Sequence, residues 1–209
     1  EHDLCRRHND YLLEAAAKSG GRLMPFCIVN PLAGERAVQE VARSAASGAR
    51  GLGELRPANQ GYDLARSKAG RLLAELAAEH KLILLFHVTE PGGHDYPGKQ
   101  GLPLSSFRRF VTANPSIRVV GAHLGGGLPL HARNPGALLN THVDTAALPF
   151  LYDASVLPGA AEAMGGRLLL GSDFPLIAQE RQIDLIRSAV NADTAAEILG
   201  GAASRLLGL

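Results

Sequence analysis

Short apolar runs alternate along this chain with longer stretches of helical periodicity. Six runs lie at 22–29 (RLMPFCIV), 50–55 (RGLGEL), 82–86 (LILLF), 118–122 (RVVGA), 141–145 (THVDT) and 167–171 (RLLLG). They are too short for helices and end in turn signals, so each predicts a strand. Between them, 35–47 carries apolar residues at 37, 38, 41, 42, 45 and 46, and 64–79 is rich in the helix formers Ala, Leu and Glu. Further helices are expected over 104–113, 153–163 and 180–190. Another is expected over 193–200, with Asp193 as its N-cap and Gly200 as its stop, and a short last one over 202–207.

Strands apolar on both faces, each followed by a helix, predict a parallel sheet covered by helices. Six strands leave two architectures open. A (β/α)8 barrel needs eight strands and about 250 residues, and a six-stranded doubly wound sheet is the alternative. Neither GxGxxG nor GxxxxGK[ST] occurs, so nothing supports a nucleotide-binding loop.

Composition narrows the class. The 209 residues are 46% hydrophobic and 20% charged, which argues against disorder. Lys and Arg total 21 against 20 Asp and Glu, so the net charge of +1 gives no footprint for nucleic acid or an anionic membrane. No run reaches 18 apolar residues, so no membrane span is expected. Two cysteines, Cys5 and Cys27, make no disulfide framework, and a reducing, cytoplasmic setting is expected. The opening EHDLCRRHND has neither a signal peptide pattern nor an initiator Met, so the chain is expected to begin partway into a longer domain.

Four of the strands end in a residue able to bind a metal or move a proton. LILLF leads to His87, RVVGA to His123, RLLLGS to Asp173 and RGLG to Glu54. In a parallel barrel these ends open on one face, so the four side chains are expected in one pocket. Imidazole and carboxylate form a ligand set for a divalent ion such as zinc. Glu54 has a second reading, as a salt-bridge partner of Arg50 or Arg56. Arg56 is a candidate for pairing with a substrate carboxylate, against the plain reading of a surface arginine. His94, in the Gly-rich 90–101 loop, is a substrate-binding candidate. His2, His8, His80, His131 and His142 read as structural or surface residues. The run L-G-G-G-L-P after His123 predicts close backbone approach to a ligand, or a helix opening with free N–H groups.

The segments HVTEP, GAHLGGGLP, LLLGSDFPL and AAEILGGAASRLLGL resemble the amidohydrolase superfamily. Within it, the resemblance is to the amidohydrolase-related group that includes aminocarboxymuconate semialdehyde decarboxylase, and it covers nearly the whole chain. It implies a metal-dependent (β/α)8 barrel of the TIM type. It also implies that His87 is the fifth-strand metal ligand, that His123 is a sixth-strand ligand or proton-transfer residue, and that Asp173 is an eighth-strand ligand and base for an activated water. The group's first strand carries an HxH pair, which this chain lacks. On that alignment the six strands are the third to eighth, and roughly 60–80 residues holding the first two are missing.

The expected protein is therefore one N-terminally incomplete barrel domain over 1–209. It would be a metal-dependent hydrolase or nonoxidative decarboxylase acting on a small carbonyl or carboxylate substrate, with zinc as the leading metal. Asp173, His123 and Glu54 are its catalytic candidates, and His87, Asp173 and His123 its metal candidates. A homo-oligomer is compatible with this reading. The alternative is a non-catalytic binding or assembly module on a degenerate barrel.

Overall fold

Pairing in the computed structural model, which describes residues 2–89, 99 and 101–209, runs parallel and in sequence order. The strands are β1 (Phe26–Cys27), β2 (Gly51–Leu55), β3 (Ile83–Phe86), β4 (Val88–Thr89), β5 (Leu102–Pro103), β6 (Val119–Gly121), β7 (Thr141–Asp144) and β8 (Leu168–Leu169). β1-β2-β3-β6-β7-β8 form one sheet, and β4 pairs with β5 alone. Representative register pairs are Leu85 with Val120 and Val120 with His142. The six strands with their helices are consecutive units of an α/β barrel.

Both faces of the sheet are apolar because both are covered. Leu52, Leu84, Val119, Val143 and Leu168 share a core with Val41, Leu73, Phe107, Leu157 and Ile186 of the outer helices. Phe86 meets Phe107 and Phe110 edge-on at centroid distances of 6.3 and 5.5 Å. Burying each such ring is worth about 1.5–3 kcal/mol. On the concave face, Ile83, Val120 and Leu169 pack against Ala202 and Leu206 of the last helix, Ala202–Leu207. Arg118, just before β6, donates to the Leu206 and Lys81 carbonyls, and Arg50, just before β2, donates to that of Leu207. The helix thus plugs the end where strands begin and leaves the opposite end open for chemistry.

The first helix, His2–Lys18, is tied on through Asn9, which is fully buried. Its side chain accepts from Ile28 N–H at 2.8 Å and donates to the Ile28 carbonyl at 2.9 Å and to Glu40 at 2.8 Å. A side-chain amide thus stands in for a neighbouring strand just past β1. Glu40 also pairs with Arg43.

Element boundaries depart from the sequence reading where local hydrogen bonding decides them. The helix expected from residue 64 begins at Lys68, because Asp63 folds 64–67 into a turn and Ser67 caps the Gly70 N–H. The cap expected at Asp193 is Asn191, which accepts from Thr194 N–H. The helix expected from residue 153 begins at Leu157, because Asp153 caps a separate turn. The glycine run after His123 opens no ordinary helix. Residues His123 to Gly127 hold φ of 59, 55, 58, 65 and 79°, a left-handed turn inside the segment Ala122–His131. Glycine takes that conformation cheaply, whereas other residues lose roughly 1–2 kcal/mol each. Among the described residues no helix is long and apolar enough to cross a membrane.

Candidate active site

Glu54 enters the site through an irregularity in β2. Leu52 and Leu55 both belong to the core shared with the outer helices, with two residues between them. A regular strand alternates faces, so Glu54 would share the helix-packed face of Leu52. The register passes from Leu52 opposite Leu84 to Leu55 opposite Phe86, which leaves one extra residue in β2. Such a bulge re-aims a side chain, here Glu54 toward the concave mouth. Gly53 permits it, since a Cβ there would stand 2.5 Å from the Leu85 carbonyl oxygen.

His87 directly follows β3, and its N–H donates to the Leu55 carbonyl. His123 follows β6 as the first residue of the left-handed turn. The result is a tight cluster. Glu54 Oε1 lies 2.8 Å from His87 Nδ1 and 3.5 Å from His123 Nε2, and the two ring nitrogens are 3.2 Å apart. The histidine side chains are 6% and 8% exposed, that of Glu54 35%. Arg56 Nη2 approaches His87 Nε2 at 3.4 Å.

The electrostatics are those of the Glu54 carboxylate beside the His123 imidazolium. Burial would lower His123, but the Glu54 hydrogen bond, the charges of Asp144 and Glu54 and the Ala146 carbonyl raise it to about 9. Burial would raise Glu54, but hydrogen bonds from His123 and His87 and their charges bring it down to about 2. At neutral pH Glu54 is therefore a carboxylate and His123 carries a proton.

Glu54, His87 and His123 each offer a ligand atom, and these lie within 4.8 Å of one another. Donors bound to one ion at about 2.0–2.2 Å stand roughly 3–3.6 Å apart. The 3.2 and 3.5 Å separations fall in that range, the 2.8 Å Glu54–His87 contact is a hydrogen bond slightly shorter than it, and two imidazoles with one carboxylate suit a divalent transition metal.

A cavity of about 620 Å³ opens over the cluster. Glu54, Arg56, His87, His123 and Asp173 line it, and Ala147, Phe150, Leu151 and Leu176 form an apolar wall. Asp173 comes from the loop after β8, is exposed and has φ of 58°; it stands outside the three-donor cluster. That loop is braced by Thr145, whose hydroxyl donates to the Gly171 carbonyl and accepts from the Gly171 N–H. Arg50 does not meet Glu54; it is engaged with Leu207. His94 lies outside the described residues. A second cavity of about 650 Å³, beside helices Leu157–Met164 and Gln179–Ala189, holds Glu162, Asp193 and Glu197 but no histidine.

One buried charge had no signal in the apolar pattern. Asp144 closes β7, is 9% exposed, and its carboxylate accepts N–H bonds from His123 and Ala146, each at 3.0 Å. Burial raises it to about 6, against the pull of the His123 charge. Its position inside THVDT, before the run ends at Thr145, set it apart from the residues that follow their runs.

Six parallel strands opening onto this cluster define a barrel protein with a candidate divalent-metal centre. The chain belongs to the amidohydrolase family, whose model matches residues 1–209. No curated protein matches it. Among solved structures it is similar to 2,6-dihydroxybenzoate decarboxylase from Rhizobium, at 17% identity and a TM-score of 0.77, covering 99% of this chain and 77% of that one. It is similar to 5-carboxyvanillate decarboxylase from Sphingomonas paucimobilis, at 17% identity and a TM-score of 0.74, covering 99% and 73%. It is also similar to a dihydroxybenzoic acid decarboxylase from Polaromonas with bound manganese and the inhibitor 2-nitroresorcinol. There the identity is 17%, the TM-score 0.73 and the coverage 100% and 76%.

Proposed function

We propose that the protein is a metal-dependent hydrolase or nonoxidative decarboxylase of a small carbonyl or carboxylate compound. The convergence of Glu54, His87 and His123 at one cavity carries this reading. These three residues would hold the ion. Zinc suits the donor set, and manganese is the competing metal because the Polaromonas relative contains it. Bound there, a divalent ion supplies positive charge that polarises a carbonyl or carboxylate oxygen and lowers the pKa of water toward about 7.

The remaining chemistry falls to side chains at the cavity. Arg56 offers a guanidinium for a substrate carboxylate, on the same side as His87. Ala147, Phe150, Leu151 and Leu176 seat the apolar body of the substrate and exclude water behind it. Asp173 handles the proton. In hydrolysis it accepts the proton of the attacking water and returns it to the leaving group. In decarboxylation its protonated form delivers a proton to the carbon that loses CO2. Similarity to the Rhizobium and Sphingomonas decarboxylases supports the second outcome.

The test is turnover of a panel of amides, lactones and aromatic or unsaturated acids by zinc- and manganese-loaded protein, with and without chelator. Turnover abolished by chelator, and reduced at least about 10²–10⁴-fold in Asp173→Asn, supports the mechanism. Full activity in Asp173→Asn overturns the role of Asp173. Absence of turnover with every substrate, together with ligand binding indifferent to chelator, would mark a binding module instead.

A further inference from the structure

We propose that Asp144 is a positioning residue that fixes the orientation and tautomer of the His123 imidazole. One carboxylate oxygen gathers two backbone donors, His123 N–H and Ala146 N–H, each at 3.0 Å. The Ala146 carbonyl then faces His123 Nδ1 at 3.2 Å. A carbonyl only accepts, so Nδ1 carries the hydrogen of that bond. Nε2 is left aimed at Glu54 and at His87 Nδ1, where it presents its lone pair once neutral. The four groups close a ring: carboxylate to both N–H groups, and carbonyl back to the imidazole.

The surroundings show why a buried charge serves here. His123 and Ala147 both lie in the left-handed region, at φ of 59 and 53°. Non-glycine residues persist there only where the neighbourhood over-determines them. His123 N–H opens a left-handed turn and has no carbonyl in a preceding turn to meet. The Asp144 carboxylate meets it and holds the β6 and β7 exits together through the same oxygen. Thr145, the next residue, ties the β7 exit to Gly171, so the anchoring continues into the Asp173 loop.

The test compares Asp144→Asn and Asp144→Ala by two readouts. Long-range ¹H–¹⁵N correlation of the histidine rings, in metal-free protein at pH about 10, above the value of about 9 for His123, reports the tautomer; His123→Asn assigns the signal. Zinc affinity by calorimetry reports whether Nε2 is presented. Wild type is expected to show the Nδ1–H tautomer. Asn keeps an oxygen for both N–H groups and is expected to keep that tautomer and bind zinc within about tenfold of wild type. Ala is expected to mix the tautomers and to weaken zinc about 10–100-fold, the range for losing a group that orients a ligand. A folded Ala variant with the wild-type tautomer and affinity overturns the proposal. So does a wild-type ring in the Nε2–H tautomer, which decides the matter even where Ala does not fold. The zinc readout rests on the function proposed above; the tautomer does not, so wild type that binds neither zinc nor manganese defeats that function while the ring signals still judge Asp144.

Discussion

Glu54 Oε1 and His87 Nδ1 meet at 2.8 Å across neighbouring strands, although two-residue alternation would turn Glu54 to the opposite face of the sheet. The extra residue between Leu52 and Leu55 makes the contact, and the space for it depends on Gly53. Gly53 has φ of 148°, and a Cβ there would also stand 2.7 Å from the Leu85 Cβ. Gly53→Ala is expected to cost about 1–3 kcal/mol, as overpacking does, and to weaken metal binding by displacing Glu54. Denaturant unfolding alongside zinc titration checks this; unchanged stability and affinity would contradict it.

Metal binding should expel a proton. His123 is raised from 6.5 to about 9, so in the metal-free protein it is an imidazolium at neutral pH. Its contribution to metal-free stability is fully present below about pH 6.5 and is lost as pH rises through about 9. A metal must displace that proton, so affinity should climb with pH by up to roughly tenfold per unit and level off near pH 9. Calorimetry in buffers of different ionisation enthalpy should count about one proton released per ion at pH 7.5. Zero release would show that His123 is not displaced.

The first helix should depend on one amide. Asn9→Ala removes three hydrogen bonds and leaves the Ile28 N–H and carbonyl without their side-chain partner. The expected loss is about 2–3 kcal/mol. Glu40 is held below its ordinary 4.5: burial opposes this, and bonds from Arg43 and Asn9 outweigh it. Its contribution is present above pH 4.5 and is lost as pH falls through its lower folded value. Glu40→Gln should therefore flatten the acid limb of a stability–pH curve; an unchanged limb would mean the charge does not matter.

The left-handed turn should not tolerate a side chain at its centre. At Gly126, φ is 65°, and a Cβ would lie 2.7 Å from Val88 Cγ1 and 2.9 Å from the Thr89 carbonyl oxygen. Gly126→Ala is expected to lose about 2 kcal/mol or more, from backbone strain and overpacking together. Thermal unfolding measures it, and a change under about 0.5 kcal/mol would contradict this account of the turn.

Much of this architecture is legible in the chain because a parallel sheet leaves a simple trace. LILLF and RVVGA are apolar throughout since helices cover one face and the barrel interior the other. The polar residues that follow them stand at the open mouth. The less legible features depend on exceptions to periodicity. Strand-end position brings Glu54 to the pocket in the sequence reading, but alternation alone would turn it to the other face, because the bulge that seats it beside the histidines adds a residue without a signature beyond Gly53. The left-handed turn was hidden because glycines after a strand also open ordinary helices. Asp144 was hidden because its carboxylate is spent on backbone N–H groups, a role that spacing does not display. Asn191 took the cap expected of Asp193 because both residue types cap equally well, two positions apart.

The central claim is that Glu54, His87 and His123 form one metal site, and zinc titration of chelator-stripped protein by calorimetry tests it most directly. The account predicts one ion bound per chain. It also predicts that Glu54→Gln, His87→Ala and His123→Ala each weaken binding by more than about 100-fold, beyond the loss from removing a supporting hydrogen bond. Wild-type protein that binds no zinc or manganese, or variants that bind as tightly as wild type, would contradict it.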